Sequence, residues 1–261
     1  MSFRGRSVLI TGASSGIGEA TALAFARQHA RLALCARRLD RLNEVAEKCR
    51  QAGSPEVVVR RIDIGREADC RTFVAAALQA FEAVDVLVNN AGVGWMGPLQ
   101  DMPPARLEEM IQTNLLGVVY MIQAALPTLL EQRSGVIVNV ASVVGFRAAP
   151  YMAAYSASKH AVVGLSHALR GELSGTGVKV SVVYPGTTTT EFFGPEGARG
   201  PIVHSADKVA KAVLRAARRP RRDVILPPYR AGQMVEPFLG GLLDHLMGEL
   251  NRRRMDARGD G

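Results

Sequence analysis

Tyr155 and Lys159 stand four residues apart in Tyr151–Leu173, a segment whose alanine-rich run and apolar spacing predict a helix. Residues four apart on a helix share one face, so the ammonium can sit beside the phenol. A free phenol has a pKa of about 10, too high for easy proton exchange at neutral pH. A fixed cation nearby favours phenolate, which is one way to make tyrosine a general acid or base. Ser142 follows Val136–Val140, an apolar run that reads as a buried strand, and from there it could hold a substrate oxygen against the phenol. Tyr-x3-Lys alone also occurs by chance on solvated helix faces, so its meaning depends on what positions it.

The first positioning element lies at the N-terminus. Ser7–Thr11 is a short β-branched run, Gly12-Ala13-Ser14-Ser15-Gly16-Ile17-Gly18 follows, and Glu19–His29 has a helical pattern. Strand, glycine turn and helix together form the arrangement in which backbone N–H groups and a helix N-terminus cradle a pyrophosphate. Gly12 can make the tight turn, Gly16 can allow close approach, and Gly18 can let the helix pack on the strand. A second strand, Arg31–Ala36, ends at Arg37-Arg38. A site selective for NAD usually carries Asp or Glu near this point, to bond the ribose 2′-hydroxyl. Two guanidiniums instead suit a 2′-phosphate, through charge-assisted and bidentate bonds, so NADP(H) is the cofactor expected.

The alternation continues along the chain. Leu39–Ala52 and Arg66–Phe81 read as helices, and Glu56–Ile62 and Val84–Val88 as strands, the latter running into Asn89-Asn90-Ala91-Gly92. Pro103–Leu130 reads as one long helical region with Asn114 in its middle; Gly117 close by makes a local irregularity one reading and a plain polar position the other. Lys179–Tyr184 is a strand leading to Pro185-Gly186-Thr187-Thr188-Thr189-Thr190, and Glu191–His204, rich in Gly and Pro, reads as a mobile loop. Ser205–Arg218 is a helix with Ser205 as its cap, and Asp223–Leu226 a last strand. The tail Val235–Leu250 has helical spacing. Repeated βαβ units with short connections predict an α/β fold with a doubly wound parallel sheet of Rossmann type, in a single domain spanning 1–261. Ligands of such sheets bind beyond the carboxyl ends of the strands, where the glycine turn, Asp63, Asn90 and Ser142 all fall.

Composition excludes several classes. The 261 residues are 48% hydrophobic and 21% charged, an ordinary globular balance. The net charge of +8 comes from scattered arginines without aromatic interleaving or a nucleic-acid motif, so a solvated surface is expected and no nucleic-acid partner. Cys35, Cys49 and Cys70 have no metal-ligand spacing and read as reduced thiols of a cytoplasmic protein. The N-terminus shows no signal-peptide pattern. Leu115–Leu130 lacks charges but is short for a membrane span and contains Gln123 and Pro127, so it reads as a buried helix.

TGASSGIG (11–18), NNAG (89–92), Asn114, Ser142, YSASK (155–159) and PG (185–186) occur together and in order. In these motifs, over residues 5 to 227, the chain resembles the short-chain dehydrogenase/reductase family in its single-domain form. The resemblance implies reversible hydride transfer between a nicotinamide cofactor and a carbonyl or alcohol. It implies that Tyr155 gives or takes the proton on the substrate oxygen, that Lys159 lowers the tyrosine's pKa and bonds the nicotinamide ribose, that Ser142 orients the substrate oxygen, and that Asn114 holds a water linking Lys159 to solvent. It further implies that Gly12, Ser14, Ser15, Gly16, Ile17 and Gly18 hold the phosphates and adenosine end, and that Arg37, with Ser14 and Arg38, takes a 2′-phosphate. Asp63 and Ile64 would flank the adenine, Asn90 the adjoining ribose, and Thr188 and Thr190 the nicotinamide amide. Threonine stands at 188 where the family is often apolar, which weakens the carry-over of that residue only; serine stands at 15 where NADP-preferring members are often basic, which leaves cofactor choice resting on Arg37 and Arg38. Such proteins often form homodimers or homotetramers.

The expected substrate is a small to medium apolar carbonyl compound or alcohol, because Trp95, Met96, Phe146, Met152, Phe192 and Phe193 fall where a pocket should form. Two alternatives stand beside an NADPH-dependent reductase. One is an alcohol dehydrogenase working oxidatively with NADP, and the other is a cofactor-sensing binding protein without turnover. The intact set Asn114, Ser142, Tyr155 and Lys159 speaks against the second.

Overall fold

Seven largely apolar runs, most of them rich in β-branched residues, make the strands: β1 (Ser7–Thr11), β2 (Arg31–Ala36), β3 (Val57–Arg61), β4 (Val86–Asn89), β5 (Gly135–Val140), β6 (Val178–Tyr184) and β7 (Asp223–Ile225). In the computed structural model they form one parallel sheet in the order β3-β2-β1-β4-β5-β6-β7. The structure describes residues 2–193 and 203–229, with isolated positions at 241, 248 and 249. The expected tail helix Val235–Leu250 and most of the 191–204 loop lie outside the described residues.

Helices cover both faces, as a parallel sheet requires, and the strands therefore read as nearly continuous apolar runs. On one side α1 (Gly16–Ala26), α2 (Leu39–Gln51) and α7 (Ala206–Arg218) bury Phe25, Leu42, Val45 and Val213 against Val8, Ile10, Leu32 and Leu34. On the other, α3 (Glu67–Phe81), α5 (Gly117–Glu131) and α6 (Ala153–Glu172) bury Phe73, Met121, Leu129 and Val162 against Leu9, Ala33, Leu87 and Ile137. Alternate residues of each strand thus feed opposite cores, the period-two rule at work. The chain builds outward from β1 to β3 and then returns to lay β4 on the other side of β1. That reversal opens a crevice at the carboxyl ends of β1 and β4.

The long region Pro103–Leu130 resolves into α4 (Pro104–Ile111), a π-helical turn at Gln112–Leu116, and α5. Of the two readings of Asn114, the local irregularity is the one found. The π turn carries Asn114 fully buried, and such turns recur at functional sites. Pro104–Glu131 is the one helical stretch among the described residues that is long and apolar enough to cross a membrane; nearly half of its apolar window is buried, and α5 packs on α3. α6 begins at Ala153 rather than Tyr151, because Tyr151 takes φ +64° and Met152 is not helical.

A buried polar chain ties α6 to the sheet. Asn89 and Asn139 are register partners on β4 and β5, and Asn89 Nδ2 donates to Asn139 Oδ1 at 2.9 Å. Asn139 Nδ2 donates to Ser166 Oγ of α6 at 2.8 Å, and Ser166 Oγ donates to the Val162 carbonyl at 2.6 Å. Asn139→Ala strands the Asn89 donor in a dry core. The expected loss is about 1–3 kcal/mol, read as a lower urea midpoint at unchanged slope. A shift within error would show that the chain does not hold α6.

Candidate active site

The glycine turn forms as its residue types require. Gly12 has φ +66°, and a Cβ there would lie 2.7 Å from the Ala91 Cα. At Gly18 a Cβ would lie 2.1 Å from the Gly12 carbonyl oxygen, so α1 can meet the end of β1 only without a side chain. α1 starts at Gly16, three residues before its apolar pattern, with extended Ser15 as N-cap and no side-chain cap on its first N–H groups. An open helix N-terminus facing the crevice is a place for an anion. The turn is held from β4: Asn90 Nδ2 donates to the carbonyls of Thr11 and Gly12 at 3.0 and 3.3 Å. Thr11 Oγ1 in turn accepts the N–H groups of Asn90 and Ala91, each at 3.0 Å. The Asn90 carboxamide is thus a brace for the turn, a role that spacing alone could not show.

Arg37, Arg38, Leu39, Asp40, Arg41 and Arg61 line a cavity of about 490 Å³ beyond the end of β2. Four arginines and one aspartate around one opening make a mostly cationic lining of the kind that suits an anion, with Arg41 and Arg61 joining the Arg37-Arg38 pair. Arg38 Nη2 donates to Ser15 Oγ at 2.6 Å, so the cavity adjoins the N-cap of α1. Arg37 pairs with Glu109 at 2.9 Å. At the end of β3, the Asp63 side chain accepts the Gly65 N–H at 3.0 Å and orders its own turn. Ile64 is buried in the core against Gly117, so only its backbone remains to face the crevice.

The proton-handling residues meet on the other side of the crevice. Tyr155, Lys159, Ser142 and Asn114 are all buried. The Ser142 hydroxyl is hydrogen-bonded to the Tyr155 phenol. Ser142 caps the short 3-10 turn Val143–Gly145 by accepting the Val144 N–H at 3.3 Å, and its hydroxyl approaches the Pro185 carbonyl at 3.4 Å. Lys159 Nζ donates to the Val140 carbonyl at 3.0 Å and lies 5.8 Å from the centre of the Tyr155 ring. The Asn114 carboxamide exchanges bonds with both backbone groups of Val93, at 2.8 and 2.9 Å, and donates to Ser158 Oγ at 3.1 Å. Ser158 Oγ then donates to the Tyr155 carbonyl at 2.8 Å, which ties the π turn to the catalytic helix. Ser158 sits inside the YSASK motif, but its part in the site becomes visible only in three dimensions.

Burial dominates the titration of this pair. It drives the Tyr155 phenol above its ordinary range, with the Ser142 hydrogen bond opposing, and it pulls the Lys159 ammonium down to about 8. The expected lowering of the tyrosine by the lysine charge is not the balance struck here. Both groups are desolvated, and the lysine's hydrogen bond goes to the Val140 carbonyl. Between about pH 8 and the ordinary lysine value of 10.5 the unfolded chain binds a proton that the folded chain has released, so stability rises with pH across that window. Below it the buried charge opposes folding. Lys159→Met is therefore expected to stabilise the cofactor-free protein by about 1–3 kcal/mol at pH 7, a gain that fades towards pH 10.5. Thermal melts at pH 7 and pH 10 check this, and a variant less stable at both would contradict it.

Apolar residues wall the tyrosine. Tyr155, Met110, Val144 and Ala154 form a cluster on which Val93, Trp95, Met102, Ala149, Met152 and Phe192 pack. The Phe192 ring centre is 5.5 Å from that of Tyr155. Of the expected pocket residues, Phe146 instead joins the α6-side core and leans on Tyr184 at 5.7 Å, and Met96 is exposed. The Phe193 side chain lies outside the described residues. Thr188 is buried and donates to the Gly186 carbonyl at 2.9 Å; it bridges to His204, so part of the predicted loop is pinned. His160 and His167 are engaged by the Ser156 carbonyl and by Asp223, as structural histidines.

Known proteins match this architecture. The family model described as short chain dehydrogenase matches residues 6–199. An Arabidopsis thaliana protein named 11-beta-hydroxysteroid dehydrogenase 1A is 39% identical over 243 residues, covering 86% of this chain and 69% of its own length. Among solved structures, a short chain dehydrogenase/reductase from Burkholderia phymatum in complex with NAD aligns with a TM-score of 0.84 and 29% identity, over 93% of this chain and 96% of that one. An alcohol dehydrogenase from the archaeon Thermococcus sibiricus, complexed with 5-hydroxy-NADP, aligns with a TM-score of 0.78 and 33% identity, over 85% and 95%. A glycine turn braced from β4 and a buried serine–tyrosine–lysine set on a seven-stranded parallel sheet thus have their place: the chain belongs to the short chain dehydrogenase family of oxidoreductases.

Proposed function

We propose that the protein is an NADP(H)-dependent oxidoreductase that interconverts an apolar carbonyl compound and its alcohol. The observation that carries this reading is the buried Tyr155–Ser142 pair, set in an apolar wall at one end of a crevice whose other end is the four-arginine cavity. The residues fit the cofactor: Gly12 and Gly18 let the turn between β1 and α1 close tightly on Ala91 and on itself, the N-terminus of α1 is open, and the arginines match a 2′-phosphate. When bound, the nicotinamide supplies or accepts the hydride. Tyr155 holds at Oη the proton that neutralises the substrate oxygen as the carbon is reduced, and takes it back in oxidation. Ser142 Oγ orients that oxygen. Lys159 keeps a cationic donor beneath the site, and Asn114 fixes the Gly92–Val93 backbone through its paired bonds to Val93.

The wall of Trp95, Met102, Met152 and Phe192 favours a substrate with a broad apolar body. The hydroxysteroid dehydrogenase and alcohol dehydrogenase names of relatives support the same substrate class, and 5-hydroxy-NADP in one solved relative supports the cofactor. The test is consumption of NADPH and NADH in parallel over ketones, aldehydes and quinones, then production of each over alcohols. Turnover with NADPH on the bulkier apolar members is expected. Turnover with NADH alone would overturn the cofactor assignment, and tight nucleotide binding without turnover on any compound would favour the sensing protein.

A further inference from the structure

Glu191 occupies two of the cavity's arginines from within the chain, while Glu109 pairs with Arg37 and Asp40 lines the same opening. Glu191 Oε2 pairs with Arg38 Nη1 at 3.1 Å and Glu191 Oε1 with Arg41 Nη1 at 2.9 Å, so each carboxylate oxygen takes one guanidinium. The pairing holds the Glu191 carboxyl below its usual range, through Arg41 first and Arg38 second. These partners are 150 or more residues apart in sequence, at the start of α2 and in the turn after β6. Glu191 opens the 3-10 turn Glu191–Phe193, whose next residue lays its ring against Tyr155. Just before it, the Thr190 Cγ2 comes within 3.0 Å of the place a Cβ would take on Gly16. One short turn therefore touches the arginines, the glycine turn and the tyrosine.

We propose that Glu191 is a specificity-determining residue: its carboxylate stands in for the cofactor's 2′-phosphate, so that a 2′-phosphorylated cofactor frees Glu191 from the guanidiniums and lets the Thr190–Phe192 turn reseat beside Tyr155, while an unphosphorylated one does not. The proposal rests on assigning the arginine cavity to the 2′-phosphate. A phosphate brings more negative charge than a carboxylate and three acceptor oxygens, so it displaces Glu191 from the guanidiniums. A neutral ribose hydroxyl offers no such exchange and leaves both ion pairs standing. Both partners are about half exposed, and exposed pairs are weak, so the contact sets a preference and does not lock the crevice.

The experiment uses adenosine 2′-phosphate and adenosine 5′-phosphate, probes confined to the adenosine end. Glu191→Gln removes the internal competitor. Calorimetry is expected to show the 2′-phosphate binding about three- to tenfold tighter to the variant than to the wild type, with 5′-phosphate binding unchanged. Trp95, the chain's single tryptophan, packs on the same cluster as Phe192 and reports on the turn. Its emission is expected to shift when the 2′-phosphate binds the wild type, and not in Glu191→Gln or with the 5′-phosphate. Equal or weaker 2′-phosphate binding to the variant, or the same emission shift in both proteins, would overturn the proposal. A wild type that binds both probes equally would overturn it too, and the arginine assignment with it.

Discussion

Tyr155→Phe is expected to lower kcat by about a hundred- to ten-thousandfold, while the dissociation constant for NADPH stays within about twofold. The variant deletes one oxygen and leaves the ring, so Phe192 and the Met110–Val144–Ala154 cluster keep their packing. The loss is the proton donor itself. Ser142 remains near the vacated position, but a hydroxyl that caps its own turn by accepting the Val144 N–H is a positioning group. The change also removes one hydrogen bond to Ser142, whose hydroxyl keeps the Pro185 carbonyl and the Val144 N–H, so the fold should lose no more than about 1 kcal/mol. Loss of activity with little change in the melt and unchanged NADPH binding would locate the effect in chemistry. A variant retaining a third of wild-type kcat would remove Tyr155 from the mechanism.

Replacing both Arg37 and Arg38 by alanine is the second large effect. It is expected to raise the dissociation constant for NADPH by about ten- to a hundredfold or more, with NADH changed by less than threefold. Charge-assisted bonds to a phosphate account for the difference, since NADH offers these arginines only a neutral 2′-hydroxyl. Arg41 and Arg61 still line the cavity, so some preference should survive the double change. Equal losses for both cofactors would mean that the arginines shape the turn after β2 and do not read the 2′-position.

Most of the fold was legible because both its cores are fed by strands whose apolar runs are nearly continuous, and β2 was bounded to the residue. The site was legible where chemistry needs a rare residue in a fixed place, as at Gly12, Gly18, Ser142, Tyr155 and Lys159. What escaped depends on contacts between distant segments. Thr11 and Asn90 brace the glycine turn across the sheet, Asn139 reaches α6, and Glu191 meets Arg38 and Arg41 from 150 residues away. Thr11 and Asn90 lie in motifs, but a motif does not say which atoms they bond, and Asn139 and Glu191 leave no periodic or motif signal at all. Ile64 and Phe146 show the converse: each stands at a strand end or pocket position by spacing, yet its side chain turns into the core because apolar burial there is the stronger term. The Tyr155–Lys159 pair was read correctly as sharing a face, but the balance of its charges was not. Four-residue spacing says nothing of how deeply a helix face is buried, and depth decides that balance.

The central claim is that this crevice moves hydride between NADP(H) and a carbonyl carbon with Tyr155 supplying the proton. The direct measurement uses NADPH carrying deuterium at both C4 positions of the nicotinamide, with mass spectrometry of the alcohol formed from a bulky apolar ketone. One deuterium on the carbinol carbon is predicted with the wild type and almost none in the same time with Tyr155→Phe. Product without label, or label transferred at the wild-type rate by the variant, would contradict the account.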